Sequence, residues 1–261
     1  MKKHQNHLKI KEKNMKLSFV IPSYNEEKNI GKCLQSIIKD MKNKKYDIEI
    51  IVVNNASTDQ TKKIAESFSS VKVVDEQKKG IVWARRAGYL ASSGDLIANV
   101  DADTILLSGW IDKVYKEFEA DKNLVAFSGP FVYYDLPVWM NFFVKIHYLC
   151  GYILYLFTHY LFNFGAMLQG GNYVVKRSAL EKIGGYNTSI SFYGEDADIG
   201  RRISKTGHVK FDFKLKILTS GRRLSEEGIL RMALRYGINH IWINFFKKPF
   251  TMKYKDVRKD N

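Results

Sequence analysis

The chain has 261 residues, of which 45% are hydrophobic, so it can bury one substantial core and is expected to form one domain with appendages. It contains no fixed-period repeat, which excludes a repeat architecture. Its formal net charge of +15 favours an anionic partner, and nucleic acid, an acidic membrane surface and a phosphorylated ligand all meet that requirement.

Two features of the sequence bear on the cellular compartment. The N-terminal segment, residues 1–16, is rich in lysine and lacks the apolar core of a secretory signal. We expect a basic, disordered leader, with Met15 as an alternative start. The only cysteines, Cys33 and Cys150, lie in apolar contexts without metal-ligand spacing, and they are interpreted as buried thiols in a reducing compartment.

From residue 17 onward, apolar runs typical of strands alternate with amphipathic stretches typical of helices. Strands are predicted over residues 17–21, 48–53, 71–74 and 96–100. Helices are predicted through residues 30–38, through Ile64 and Phe68, and after Gly80. This alternation predicts an α/β fold with a mainly parallel central sheet flanked by helices, in which ligands bind at the carboxyl ends of the strands.

Two carboxylates, Asp101 and Asp103, follow directly after the predicted strand 96–100. Side chains two positions apart on an extended chain point the same way, and clustered carboxylates repel unless a cation lies between them. Oxygen ligands suit a hard ion such as Mg²⁺ or Mn²⁺, so the pair predicts a metal diphosphate site. An isolated pair of this kind is more often a strand end followed by a helix-capping aspartate, so the prediction depends on the companion motifs.

Five stretches resemble, in order and spacing, the motifs of family 2 glycosyltransferases of the GT-A fold. They are Phe19-Val-Ile-Pro-Ser-Tyr-Asn-Glu-Glu27, Val52-Val-Asn-Asn-Ala-Ser-Thr-Asp59, Gly80 with Ala84-Arg85, Asp101-Ala-Asp103 and Gly194-Glu-Asp-Ala-Asp198. The resemblance implies a Rossmann-like GT-A domain over residues 17–225, with a nucleotide-binding half at 17–104 and an acceptor half at 105–225.

The resemblance implies that the first two polar loops hold the nucleotide of a nucleotide-diphosphate sugar. Pro22, Tyr24 and Glu26 would lie beside the base and ribose, with Asn54 or Asn55 beneath the base. Many relatives have two aspartates at 54–55, whereas an amide both donates and accepts hydrogen bonds. The usual reason for preferring uracil is therefore weakened, and the identity of the base stays open.

Two other groups in the nucleotide half have separate interpretations. By the resemblance, Arg85 would reach the nucleotide, while Arg86 is expected to be an exposed helix residue. Ser57, Thr58 and Asp59 are interpreted as N-cap residues of the second helix rather than as ligands.

The resemblance also implies the chemistry. Asp103, with Asp101, would hold Mn²⁺ or Mg²⁺ at the diphosphate, which makes Asp101 a nucleotide contact as well. Asp196 would be the general base for a sugar hydroxyl, which is a poor nucleophile, and Glu195 would contact the acceptor. The implied reaction is a single in-line displacement with inversion. A helix N-terminus stabilised by acidic residues is the alternative interpretation of 194–198.

Three further pairs of residues are placed by the same resemblance. Gly171 and Asn172 would contact the sugar or acceptor, although a plain turn before a strand uses the same residues. Many relatives have a third metal or phosphate contact where this chain has Thr219-Ser-Gly-Arg-Arg223, so Arg222 or Arg223 is expected to bind the diphosphate. Asp198 and Arg202, four residues apart, are expected to form an ion pair.

The aromatic-rich segment 131–164 is not explained by the site, since residues 146–175 contain no Asp, Glu, Lys or Arg. Its strongly apolar part is shorter than the ~20 residues of a membrane span. We expect a helix in the membrane interface or packed in a dimer, with a buried core helix as the alternative. The C-terminal segment 226–261 is predicted to be an amphipathic, basic helix and tail, suited either to an anionic bilayer or to covering the sheet.

The sequence therefore predicts transfer of a sugar from a nucleotide diphosphate to a hydroxyl of a glycan or lipid-linked glycan, on the cytoplasmic face of the membrane. Polyprenyl phosphate is the alternative acceptor, but this anion needs no general base. A catalytically silent sugar-nucleotide binder conflicts with the intact acidic residues. Nucleic-acid binding is not expected, because the lysines concentrate in the leader, loops and tail.

Overall fold

The computed structural model describes residues 15–162, 166–251 and 256. Most of the predicted leader lies outside the described residues. Its last residue, Lys16, donates its backbone N–H to Asp95 Oδ2 at 2.9 Å and pairs with Glu49 at 3.3 Å. The described end of that segment is therefore tied to the sheet.

Strands and helices alternate through the first part of the chain. They are β1 (Leu17–Ser23), α1 (Ile30–Met41), β2 (Ile48–Asn54), α2 (Thr61–Glu66), β3 (Val71–Asp75), α3 (Ile81–Ala91) and β4 (Leu96–Val100). The predicted alternation is confirmed, and β4 has the predicted bounds. The prediction that the second helix reaches Phe68 is wrong: α2 ends at Glu66, where Ser67 Oγ donates to the carbonyl of Ile64 at 2.7 Å.

The second part of the chain is less regular. Its elements are β5 (Thr104–Ile105), α4 (Trp110–Ala120), β6 (Leu124–Ser128), β7 (Phe131–Tyr133), α5 (Val138–Phe162), β8 (Asn172–Lys176), α6 (Arg177–Lys182), α7 (Glu195–Ile203), β9 (His208–Phe211), β10 (Ile217–Thr219), α8 (Arg222–Glu227) and α9 (Ile229–Phe246).

The central sheet has seven strands in the order β3-β2-β1-β4-β8-β6-β9. All neighbouring strands run parallel except β8, which is antiparallel to both β4 and β6. A small second sheet has the order β5-β10-β7. The predicted α/β class with a mainly parallel sheet is confirmed.

Helices cover both faces of this sheet, so its inner strand β1 is buried along its whole length. The side chains that α1 buries recur at helical spacing, among them Ile30, Leu34 and Ile37. Asp40, at the end of that row, accepts hydrogen bonds from the backbone of Gly109 at 2.8 Å and Ile111 at 2.9 Å. This carboxylate therefore fixes the start of α4 against α1.

The loops that follow β1 and β2 are joined to each other at the carboxyl edge of the sheet. Thr58 N–H donates to Asn25 Oδ1 at 2.9 Å, and Asn25 N–H donates to Ser57 Oγ at 3.2 Å. The predicted N-cap role of Ser57, Thr58 and Asp59 is wrong, because the residue before α2 is Gln60. Asp59, one position before Gln60, instead accepts a hydrogen bond from the Thr61 N–H at 2.9 Å.

Helix α5 is mostly exposed, which corrects the alternative that it is a buried core helix. Of its described side chains, Val144 and Tyr148 are buried and hold it to the fold. Within the described residues, Val138–Phe157 is the one helical stretch long and apolar enough to cross a membrane. Cys150 is exposed on this helix, so the prediction of a buried thiol is wrong for Cys150 and confirmed for Cys33.

Candidate active site

Two pairs of acidic residues from distant parts of the chain meet at one cavity of about 560 Å³. Asp101 and Asp103 follow β4, and Glu195 and Asp196 begin α7. All four line the same end of the cavity, at the edge of the sheet where β1 and β4 end. The fold thus brings together the two acidic motifs of the sequence.

Arg85 connects the two acidic pairs. Its side chain is 2% exposed and lies on α3, with its guanidinium 3.2 Å from Asp101 Oδ1 and in an ion pair with Glu195. The neighbouring Arg86 is exposed, as predicted. Arg85 Nε and Glu195 Oε2 are buried without a hydrogen-bond partner among the residues that the structure describes. Because unpaired buried polar atoms are costly, these two atoms mark where a bound ligand could bond.

Arg222, the first residue of α8, lies between Glu26 and Asp103. Its guanidinium donates to Glu26 Oε2 at 3.0 Å and lies 2.9 Å from Asp103 Oδ2. Burial raises the pKa of Asp103 to about 7; Arg222 opposes the increase, and the charges of Glu26 and Asp101 add to it. The surroundings of Asp103 are therefore rich in negative charge and favour a cation.

The donor atoms at this end of the cavity fit a hard divalent cation. Asp101 and Asp103 offer carboxylate oxygens, and Mg²⁺ or Mn²⁺ commonly takes one or two carboxylates and completes its shell with phosphate and water. Among the described residues there is no group of three or more acidic, histidine or cysteine side chains placed to hold a metal by themselves. The site therefore fits a metal that arrives with a diphosphate.

Asp196 is held in place by two backbone N–H groups. Its Oδ2 accepts from Gly170 at 3.1 Å and its Oδ1 from Ala197 at 2.8 Å. A Cβ on Gly170 would lie 3.4 Å from Asp196 Oδ2, so the small residue lets the backbone come close. The predicted ion pair one turn further along α7 is confirmed, with Arg202 Nε 2.7 Å from Asp198 Oδ2.

Gly171 and Asn172 have structural roles in the fold. Gly171 has φ +84°, and an added Cβ would overlap the Asp101 carboxylate, so only glycine fits. Asn172 is fully buried and is not among the residues that line the cavity. Its amide donates to the carbonyls of Gly129 at 2.9 Å and Leu215 at 2.7 Å. This placement corrects the predicted acceptor contact of Asn172.

Some of the residues predicted to bind the nucleotide line the cavity, and others do not. Pro22 and Glu26 line the cavity. Tyr24 does not, and its hydroxyl accepts from Lys79 at 3.1 Å. Asn54 donates to Asp75 Oδ1 at 2.8 Å and accepts from Ser57 N–H at 3.3 Å, and it does not line the cavity.

Asn55 organises the turn before α3. Its amide donates to the carbonyls of Glu76 and Lys78, each at 2.9 Å, and its Oδ1 accepts from Gly80 N–H at 2.8 Å. Its side chain therefore fixes the loop that leads to Arg85, and like Asn54 it does not line the cavity.

Arg223 lines the cavity beside Arg222 but has other partners. It pairs with Glu227 at 3.0 Å, and its guanidinium lies 4.9 Å from the centre of the Phe192 ring. Glu227 also pairs with Arg235 of α9. The second arginine is thus fixed to the start of α9 rather than to the acidic cluster.

Sequence reasoning missed the other end of the cavity, which is apolar and lies between α5 and α9. Val144 and Leu154 of α5 and Leu230 and Ala233 of α9 line it. Tyr148 joins this end to the polar end, since its hydroxyl donates to Gln169 Oε1 at 2.7 Å. The helical spacing of apolar residues on α9 was visible in the sequence, but its pairing with α5 was not.

A mainly parallel sheet that presents paired carboxylates and arginines at its carboxyl edge is typical of enzymes that bind phosphorylated ligands. The sequence model of glycosyl transferase family 2 matches residues 18–184 of this chain. The chain belongs to this family.

A curated relative extends the match over most of the chain. The probable glycosyltransferase YdaM of Bacillus subtilis is 28% identical over 93% of this chain. The chain spans 60% of that relative's length, and 16% and 33% of two further curated glycosyltransferases.

Solved structures of glycosyltransferases share the fold. The mannosyltransferase PcManGT of Pyrobaculum calidifontis, solved with GDP-Man and Mn²⁺, superposes with a TM-score of 0.66 at 19% identity, over 90% of this chain and 64% of that one. Glucosyl-3-phosphoglycerate synthase of Mycobacterium tuberculosis, solved with Mn²⁺, UDP and phosphoglyceric acid, gives 0.58 at 20% identity, over 88% and 78%. The GT-A fold is thereby confirmed.

Proposed function

We propose that this glycosyltransferase moves a sugar from a nucleotide diphosphate to a hydroxyl of a glycan or lipid-linked glycan, by one displacement with inversion. The observation that carries the proposal is the position of Arg85, which links Asp101 to Glu195. Because of this link, the acids suited to a metal diphosphate and the acids suited to an acceptor face the same cavity.

The donor would lie at the acidic end of the cavity. Pro22 and Glu26 line the place for base and ribose, and Arg222 and Arg223 would bind the diphosphate. Arg222 already holds two carboxylates there, so its guanidinium is positioned to exchange one of them for phosphate oxygens. The two structural neighbours were solved with GDP and UDP compounds, which leaves the base to be identified by experiment.

Asp103, with Asp101, would hold Mn²⁺ or Mg²⁺ at the diphosphate. When bound, the cation neutralises negative charge that grows on the leaving group. The Mn²⁺ in both neighbouring structures supports a divalent ion, and the raised pKa of Asp103 supports a need for positive charge at this point.

Asp196 would act on the acceptor. Its carboxylate takes the proton of the acceptor hydroxyl while the hydroxyl oxygen attacks the anomeric carbon and the bond to the diphosphate breaks. The N–H groups of Gly170 and Ala197 orient the carboxylate for this transfer. Glu195, held by Arg85, would contact the acceptor through Oε2, the atom that has no hydrogen-bond partner in the described part of the chain.

A polyprenyl-phosphate acceptor is the second candidate, and the apolar end of the cavity favours it. A phosphate is already an anion, so it needs no general base, and Glu195 and Asp196 would repel it. The two acceptors therefore predict different outcomes for loss of the Asp196 carboxylate.

We also propose that the protein works at the cytoplasmic face of the membrane as a peripheral protein. The net charge of +15 and the exposed apolar residues of α5 support this position. Recovery of the protein wholly in the soluble fraction at low salt would contradict it. A homodimer through the same helix is the competing explanation for the exposed residues.

Thermal unfolding with UDP, GDP, CDP and TDP, each with and without Mn²⁺, tests the donor site. A ligand at 100 times its dissociation constant stabilises the folded state by about 2.7 kcal/mol, which gives a clear shift. We expect one nucleotide to stabilise the wild type only with metal, and D103N to lose the effect. D121N, which changes an aspartate at a distant ion pair with His208, is the matched control. No shift with any nucleotide would contradict the proposed donor site.

A further inference from the structure

Helices α5 and α9 contact each other, and each exposes a stripe of large apolar side chains at helical spacing. On α5 the stripe includes Phe142, Leu149 and Ile153, which are 60%, 51% and 58% exposed. On α9 it includes Leu234 and Phe245, which are 58% and 64% exposed. We call the two stripes together the apolar face. Contiguous exposed apolar surface of this kind marks an interaction surface in soluble proteins.

The charged side chains that α5 and α9 themselves carry are all positive. Neither α5 nor α9 contains Asp or Glu, and the exposed cations Lys145, Arg231, Lys247 and Lys248 lie on these helices or directly after α9. An anionic bilayer complements both the apolar residues and these cations. A symmetric contact between two copies would instead bring the same cations together, which is unfavourable.

The cavity opens in the apolar face. Leu154 and Leu230 both line the cavity and are exposed, by 43% and 72%, so they form its mouth. Asp196 lines the same cavity, together with Asp101, Asp103 and Glu195. A passage with an apolar mouth and an acidic end matches an amphiphile better than a soluble glycan, which has nothing to place between the helices.

Glycines keep this passage wide. Gly237 of α9 and Gly151 of α5 both line the cavity. Among the described residues outside the same helical turns, a Cβ added to Gly237 would meet no atom within 4 Å, and one added to Gly151 would meet only Met167 Cε at 3.7 Å. Larger side chains fit there sterically and would fill the passage without disturbing the core.

We propose that the acceptor is an amphiphile in an anionic bilayer, whose apolar chain enters between α5 and α9 and whose hydroxyl-bearing head reaches Asp196. The apolar face would rest on the bilayer around the cavity mouth. The role of the head group rests on the proposed function, whereas bilayer binding and chain binding do not.

Flotation with vesicles tests the apolar face. We use vesicles of phosphatidylcholine with and without phosphatidylglycerol, the wild type, F142E/I153E and the control L90E. Phe142 and Ile153 do not line the cavity, and Leu90 on α3 is 61% exposed but lies outside the apolar face. We expect binding to the anionic vesicles only, a loss of at least about tenfold in F142E/I153E, and no loss in L90E.

Three results would overturn the bilayer assignment. The first is wild-type protein that does not float with anionic vesicles, and the second is a double variant that floats as well as the wild type. The third is a wild-type dimer, measured by sedimentation, that F142E/I153E converts to a monomer, because a second copy would then cover the apolar face.

Binding of dodecyl maltoside below its micelle concentration, compared with maltose, tests the passage. We expect titration calorimetry to detect the alkyl compound alone, and G237L to weaken its binding by at least about tenfold. G237A adds little volume but, like G237L, it raises the helix propensity of this position. It therefore controls for a more rigid helix and should bind the alkyl compound nearly as the wild type does. Equal binding by G237L and the wild type would overturn the passage.

These measurements use neither donor nor turnover. If the nucleotide panel fails while vesicle and alkyl binding succeed, the proposed function is wrong and the lipid-binding surface stands. If the nucleotide panel succeeds while they fail, the transferase stands and its acceptor is not delivered through the apolar face.

Discussion

In the protein without ligand, Arg222 neutralises the acidic cluster that a bound cation would neutralise in the complex. It lies against Glu26 and Asp103, whose carboxylates are 4% and 14% exposed and would otherwise repel each other. Removal of one partner from such a cluster leaves uncompensated buried charge. The consequence is that the stability of this corner of the protein depends on one arginine or on a metal.

We expect R222A to lower the free energy of unfolding by about 1–2 kcal/mol without divalent ions, a value reduced because the arginine is partly exposed. Added Mn²⁺ should restore more stability to R222A than it adds to the wild type, because the freed carboxylates gain a cation. Urea denaturation with and without Mn²⁺ measures both effects. R86A, a change of an exposed arginine, should unfold as the wild type does.

Asp196 is the residue on which the two acceptor classes differ. We expect D196N to reduce transfer to a hydroxyl acceptor by about 10²–10⁴-fold, because the general base is lost. Donor binding, followed by thermal shift, should be unchanged, since the proposed role of Asp196 is to take a proton from the acceptor and not to hold the donor or its metal. Full activity of D196N would favour the polyprenyl-phosphate alternative.

At the scale of elements, Glu49 of β2 joins β1 and the loop before β4 at the end of the sheet away from the site. Its carboxylate accepts from Ser18 Oγ at 2.5 Å and from Ser93 N–H at 2.6 Å. Burial alone would raise its pKa, but hydrogen bonds from Ser18, Ser93 and Lys16 outweigh it and lower the pKa to about 2. Since this folded-state pKa lies below the unfolded one, the charged form stabilises the fold.

The pH dependence follows from the sign of that shift. The stabilisation by Glu49 is fully present above the unfolded pKa of about 4.3 and is lost as the pH falls towards 2. We expect E49Q to be less stable than the wild type by about 1 kcal/mol at pH 7, with the difference vanishing near pH 2. E66Q, at an exposed glutamate, should show no such trend in urea melts across this pH range.

A change at Asn172 tests whether this residue stabilises the fold instead of contacting the acceptor. We expect N172A to lower the free energy of unfolding by about 3 kcal/mol, because the carbonyls of Gly129 and Leu215 and the indole N–H of Trp110 lose their partner. The increase in melting temperature that a nucleotide produces should be the same in N172A as in the wild type. N123A, at an exposed asparagine, is the control in chemical denaturation.

The elements that sequence reasoning predicted are those fixed by local periodicity, such as β4 and α1. The antiparallel strand β8 between β4 and β6 was not predicted, because its place depends on pairing between residues far apart in the chain. The same reason explains the site. The acidic motifs are local and visible, whereas the partners of Asn55 and Asn172 are backbone groups that only the folded chain brings near.

At the scale of the whole molecule, the two halves of the domain are interlocked. The pairing of β4 with β8 continues one sheet across both halves, and Arg85 and Arg222 each bind acidic residues from the other half. A ligand that rearranges these arginines therefore acts on both halves at once.

We expect this interlocking to give one cooperative unfolding transition. Far-UV circular dichroism and tryptophan fluorescence, to which Trp83 in one half and Trp110 and Trp139 in the other contribute, should report coincident urea midpoints. Two separated transitions would contradict a single domain over residues 17–225.

The two cysteines of the chain differ in a way that experiment can use. Cys33 is buried and its pKa is raised by burial to about 12, so it is a poor nucleophile, while Cys150 is exposed on α5. A thiol-reactive nitroxide would therefore attach at one position of the unmutated protein. With lipid vesicles present, power saturation against oxygen and a water-soluble relaxation agent would then measure, at that single position, whether the helix enters lipid and to what depth.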